Sequence, residues 1–183
     1  MAGLQRPTDT LRMFLDGPGG AGKSRVIEEA IKCARCFTEN MNMAFDIRTI
    51  VVTALSGVAA TSIGGETLHS AVGLNKKGKL CEGEWANTRL LIIDEVSFMN
   101  FGNVEKLDSN LRQLTGNHTR ICGGLHVVFC GDFCQLEPCS GAPLHSQDLH
   151  HKHWQNSINV CMELKGFHRF KDDLEWGRIL RRM

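Results

Sequence analysis

Eight residues, GPGGAGKS from Gly17 to Ser24, have the composition and order of a cradle for phosphate. They fit the spacing G-x-x-x-x-G-K-[ST]. Gly17, Gly19, Gly20 and Gly22 permit backbone angles closed to other residues, so successive N–H groups can turn inward. Pro18 and Ala21 fill variable positions of the loop. With the N-terminus of a following helix, those N–H groups make a positive nest for phosphate oxygens. Lys23 is placed to reach the β- and γ-phosphates of a nucleotide, and Ser24 to offer its hydroxyl to Mg²⁺. The chemistry indicated is nucleoside triphosphate binding.

Such a loop needs a strand before it and a helix after it. LRMFLD, Leu11 to Asp16, is apolar at Leu11, Met13, Phe14 and Leu15, as a buried strand would be. Val26, Ile27, Ala30, Ile31 and Ala34 then recur at helical spacing. A plain Gly-rich turn would need neither element.

Four further segments bear on the chemistry. LLIIDE, Leu90 to Glu95, is an apolar strand that delivers two adjacent carboxylates. Asp94 can hold Mg²⁺, and Glu95 can orient and deprotonate an attacking water. An acidic helix cap is the competing reading, and the loop upstream favours the metal. GDFCQLEP, Gly131 to Pro138, follows another apolar run and puts Gln135 where a γ-phosphate can be sensed or a water positioned. A solvent-facing turn would also suit Gln135, and spacing does not separate the two. Arg169 in LKGFHRF can stabilise charge on a transferring phosphoryl group, although lone arginines are more often solvated. TALSGVAATSIGGETLHS, Thr53 to Ser70, carries small hydroxyl residues, glycines and His69, groups that grip nucleic-acid phosphates without high net charge. Composition alone fits an ordinary crossover loop equally well.

The bulk properties narrow the class. With 183 residues the chain has room for one domain with a substantial core. Its 42% hydrophobic and 22% charged content are those of a globular protein. A formal net charge of +1 names no partner, so nucleic-acid binding rests on local features. No apolar run approaches the length of a membrane-spanning helix, and MAGLQRPTDTLRMF has no secretory hydrophobic region. An organelle leader upstream stays open. The 8 cysteines are read as reduced thiols. Cys33 and Cys36 form a lone C-x-x-C. Cys130, Cys134 and Cys139 lie near His145, His150, His151 and His153, with irregular spacing. Buried thiols and a solvated His-rich loop explain that cluster better than a metal site.

The remaining pattern predicts strands over Ile47–Ala54, Leu90–Asp94, Leu125–Gly131 and Ile158–Leu164. A short helix is expected over Val58–Ile63, broken by Gly64 and Gly65. Val104, Leu107, Leu111 and Leu114 mark an amphipathic helix ended by Gly116. Residues 72 to 89, with Lys76, Lys77 and Lys79, read as loop or short helix. Asp172 to Met183 reads as a further helix. Alternating strands and helices imply right-handed crossovers, a parallel sheet flanked by helices, and active groups at the carboxyl ends of the strands.

Taken together, the five segments resemble the PIF family of ATP-dependent DNA helicases, in the RecD-like branch of superfamily one. GPGGAGKS resembles motif I, TALSGVAATSIGGETLHS motif Ia, LLIIDEVSFM motif II, GDFCQLEP motif III and LKGFHRF motif IV, in the family's order. LRMFLDGPGGAGKSRVI and the stretch around DLEWGRIL look most like the members related to Helitron helicases. The resemblance implies a RecA-like fold, ATP and Mg²⁺ as ligands, and translocation on single-stranded DNA, 5′-to-3′, with duplex junctions unwound. It also implies work in recombination, repair and telomere maintenance, and an intracellular location in nucleus or mitochondrion. Lys23, Ser24, Asp94, Glu95, Gln135 and Arg169 take the family's roles position by position. Ser56, Gly57 and His69 align with the segment that contacts DNA. Leu55-Ser56 stands where the family has Pro-Thr, and Glu137 where it has Pro. Gln5 lies too near the loop to serve as the family's adenine-reading glutamine. Residues 1–183 are expected to form the first motor domain alone, with the second RecA-like domain missing or supplied elsewhere. Two other readings stay open: a nucleotide-dependent binding module without turnover, and, less well supported, a small kinase of the same loop class.

Overall fold

The computed structural model describes residues 10–42, 46–74, 80–146 and 152–166. Gln5, the Lys76–Lys79 stretch, His150, His151, Arg169 and the helix expected over Asp172–Met183 lie outside them. Six parallel strands form one sheet: β1 Arg12–Asp16, β2 Ile50–Ala54, β3 Glu66–Thr67, β4 Leu90–Asp94, β5 His126–Gly131 and β6 Val160–Glu163. Their order across the sheet is β3-β2-β4-β5-β1-β6. The helices are α1 Lys23–Asn40, α2 Gly57–Ser62, α3 Leu68–Ala71, α4 Phe101–Thr115 and α5 Lys152–Ser157. Among the described residues, no helix is long and apolar enough to cross a membrane.

Strand alternation divides the core between two faces. Phe14, Leu91, Ile93, Val127 and Phe129 point to one face, where the four leucine-spaced residues Val104, Leu107, Leu111 and Leu114 of α4 are buried. Leu15, Ile92, Val128 and Cys130 point to the other face, against Ile27 of α1. Helix α4 ends as its sequence predicts, with Gly116 at φ 70 providing the left-handed cap. The other face is thinner. Ile27 is the buried residue of α1, and Phe37 stays 61% exposed.

Three expectations shift. The strand expected from Ile47 begins at Ile50, because the Asp46 side chain accepts from Arg48 N–H and winds Ile47–Thr49 into a 3₁₀ turn. The strand expected over Ile158–Leu164 shortens to β6, an edge strand with all four residues exposed. The His-rich loop gives way to α5 from Lys152 onward. There Trp154 is buried and packs edge-on against Phe129, with ring centroids 5.0 Å apart.

Candidate nucleotide site

Loop Gly17–Ser24 leaves the carboxyl end of β1 and runs into α1. Gly20 and Gly22 sit at φ 83 and φ 99, angles a side chain would resist. No side chain caps α1, and its first turn carries no acid. The helix therefore presents its free N–H groups and positive dipole end to whatever the loop holds. The Lys23 ammonium donates back to the Gly17 and Pro18 carbonyls, which keeps it in the mouth of the loop.

Strand register brings the acids to the same edge. Asp16 pairs across to Gly131, and Ala54 to Asp94, so β1, β5, β4 and β2 end nearly level. Asp94 is only 7% exposed. Burial pushes its carboxyl above the ordinary range, opposed by the Glu95 N–H bond and the Lys23 charge and assisted by the Glu95 charge. Its Oδ1 accepts from Glu95 N–H at 2.9 Å, and no hydrogen bond from a described residue reaches Oδ2. A buried carboxylate with one oxygen unbonded among the described residues, within range of the Lys23 charge at the start of α1, fits a divalent cation. Ser24 and Asp94 are the residues that would hold it.

Glu95 adopts φ 58, ψ 39, a left-handed conformation that is uncommon for a non-glycine residue. The turn lifts its side chain out of the strand line, and Oε2 accepts from Ser56 Oγ at 2.6 Å. Gln135 follows β5, between β4 and β1 in the sheet. It is exposed, and its amide donates to Asp132 Oδ2 at 3.1 Å. Phe133, two residues earlier, stacks on Phe14 of β1 with centroids 4.9 Å apart, which anchors this turn to the core. A Cβ added to Gly131 would lie 2.7 Å from Val96 Cγ1, so only glycine lets β5 end against the turn after Glu95.

His69 and Ser56 line one cleft of about 270 Å³, with Leu55, Phe98, Asn100 and Cys139 among its walls. Gly57 is exposed beside it, with open space where a side chain would go.

A family profile described as PIF1-like helicase matches residues 7–175. The chain belongs to the PIF1-like helicase family. ATP-dependent DNA helicase PIF1 of Saccharomyces cerevisiae (strain YJM789) is 30% identical over 186 residues, spanning 93% of this chain and 21% of that protein. ATP-dependent DNA helicase RRM3 of Saccharomyces cerevisiae (strain ATCC 204508 / S288c) is 31% identical over 82% of this chain and 20% of its own length. The chain thus spans about a fifth of the length of these curated relatives. The crystal structure of Pif1 helicase from Candida albicans superposes with a TM-score of 0.75 at 30% identity, covering 94% of this chain and 40% of that one. Bacteroides sp Pif1 in complex with ADP-AlF4 shares the fold at a TM-score of 0.65 and 22% identity, over 94% of this chain and 42% of that one. The RecA-like parallel sheet expected from the sequence is therefore the observed one.

In this PIF1-like chain the loop, Asp94 and Gln135 gather at one end of three adjacent strands, with Glu95 just beyond on the β2 side. Arg169 falls outside the described residues. Sequence reasoning passed over Asp132, whose carboxylate holds both Cys134 N–H and Gln135, although it stands inside the motif that named Gln135. It also passed over Asp16. Burial raises that carboxyl's pKa, with the Gly17 N–H bond and the Lys23 charge opposing and the charges of Asp132 and Glu163 adding. All eight cysteines are unpaired thiols. Burial pushes the Cys130 thiol up to about 12, which keeps it protonated and unsuited to bind a metal. Among the described residues, no three His, Cys, Asp or Glu side chains converge on a metal position.

The raised Asp94 pKa has a testable consequence for stability. Such a carboxyl favours the folded state below its ordinary value of 3.8, and that favour is lost as pH rises through the raised value. Charged Asp94 therefore weighs against folding at neutral pH. Thermal melts in metal-free buffer at pH 7 are expected to place Asp94→Asn about 2–4 °C above wild type. The gap should narrow as pH falls through the raised value toward the ordinary carboxyl range, where Asp94 itself takes up a proton. An equal or lower melting temperature for the variant at pH 7 would contradict this account.

Proposed function

We propose that this chain is the first motor domain of an ATP-dependent DNA helicase, binding and hydrolysing ATP with Mg²⁺ while engaged on single-stranded DNA. The observation that carries the reading is the glycine cradle with Lys23 at the same sheet end as a buried Asp94 whose Oδ2 meets no hydrogen bond among the described residues. Loop N–H groups and Lys23 would take the β- and γ-phosphates. Mg²⁺, held by Ser24 and Asp94, would supply charge neutralisation at the terminal phosphate. Glu95 would accept the proton of the attacking water, and Gln135, once free of Asp132, would position that water. Arg169 would stabilise charge on the phosphoryl group in flight.

Ser56, Gly57 and His69 are proposed to meet the DNA backbone at the cleft beside α2. Solved structures that share the fold include Pif1 helicase from Bacteroides in complex with ADP-AlF3 and ssDNA, and one concerning DNA unwinding at forked dsDNA by two coordinating Pif1 helicases. That precedent, together with the small, polar character of this segment, supports a DNA partner rather than a small second substrate. The second RecA-like domain, duplex junctions as substrates, and a nuclear or mitochondrial location belong to the same proposal.

Equilibrium titration with a fluorescent ATP analogue tests the reading. Affinity is expected to rise at least about tenfold when Mg²⁺ is added, and ADP should compete. Absence of nucleotide binding with Mg²⁺ present would refute it.

A further inference from the structure

The bond between Ser56 and Glu95 joins the segment assigned to DNA with the proposed general base. Ser56 ends the run after β2, and β2 lies on the far side of β4 from β5 and β1. The phosphate loop follows β1. A Glu95 side chain bound at 2.6 Å to Ser56 is therefore drawn away from the phosphates, toward β2. Glu95 also holds a left-handed backbone, and uncommon conformations of this kind cluster at sites that switch.

A serine hydroxyl has one proton to donate. Here that proton goes to Glu95 Oε2, while Oγ accepts from Ala59 N–H at 3.2 Å as the cap of α2. Ser56 also lines the cleft shared with His69, Phe98 and Asn100. An acceptor that enters this cleft and takes the hydroxyl's hydrogen bond does so only by releasing Glu95. We propose that Ser56 is a positioning residue that restrains Glu95 away from the phosphate site, and that a DNA phosphate group in the adjoining cleft lifts the restraint. This inference rests on the ATP-hydrolysis reading above and adds its regulation: DNA licenses turnover by competing for a single proton.

Steady-state ATP hydrolysis by the whole chain, without DNA and with a single-stranded oligonucleotide, tests the inference. Ser56→Ala is expected to raise the DNA-free kcat about tenfold at unchanged KM for ATP, and to reduce stimulation by the oligonucleotide below about twofold. Losing the α2 cap costs about 1 kcal/mol, so Ser56→Asp serves as the second variant. Aspartate caps a helix but has no proton to give Glu95, and it should raise the DNA-free rate in the same way. Ser56→Thr keeps the hydroxyl and should retain both the low DNA-free rate and the stimulation. A loss of packing alone would lower kcat and would not be rescued by threonine. If neither Ser56→Ala nor Ser56→Asp exceeds the wild-type DNA-free rate, the inference is overturned. Lys23→Ala, assayed in parallel, separates the two levels. Unchanged ATP binding in that variant would sink the nucleotide reading itself. Lost binding there, with no rise in the Ser56 variants, would sink only the restraint.

Discussion

Glu95→Gln is expected to cut ATP turnover by about 10²- to 10⁴-fold while ATP affinity stays within about threefold. The amide keeps the size of the carboxyl and its ability to accept from Ser56 Oγ, so the turn after β4 should survive. What it loses is the capacity to take a proton from water. Single-turnover hydrolysis and nucleotide titration, run on the same preparation, separate the two quantities. The result also discriminates between function classes. A nucleotide-dependent binding module would show no turnover in wild type and no change in the variant.

The second large effect lies at the other end of the phosphate site. Lys23→Ala should weaken ATP binding by at least about 100-fold, roughly 2.7 kcal/mol. Its ammonium meets only carbonyls of its own loop in the hydrogen bonds described, those of Gly17 and Pro18. Removing it should therefore change fold stability by no more than about 0.5 kcal/mol. Isothermal titration with ATP·Mg²⁺, paired with a thermal melt, reads both. A variant that binds ATP as wild type does would show that the loop serves another purpose.

These residues were legible in the sequence because each follows a strand whose apolar run is unmistakable, Glu95 directly and Lys23 through the glycine loop. Leu90–Asp94 and its carboxyl-terminal acid could be read from six letters, and α4 from the spacing of four apolar residues and a glycine. The parts that were not legible depend on contacts distant in sequence. Ser56 and Glu95 are 39 positions apart, and their bond exists only because β2 pairs with β4. Helix α5 has too few residues to announce itself by periodicity, and Trp154 is fixed by aromatic partners on β1 and β5. Strand β6 reads as apolar yet lies at an edge, where neighbours rather than composition decide burial. Asp46 shows the reverse case, since one local side-chain bond overrode a β-branched run.

The position of β5 has a consequence of scale. Adjacent strands lie about 4.8 Å apart, so inserting β5 between β1 and β4 sets the ends of those two strands about 10 Å apart at the sheet's rim. Here the weave of the sheet acts as a spacer gauge, setting the width that a terminal phosphoryl group and its counter-ion must span.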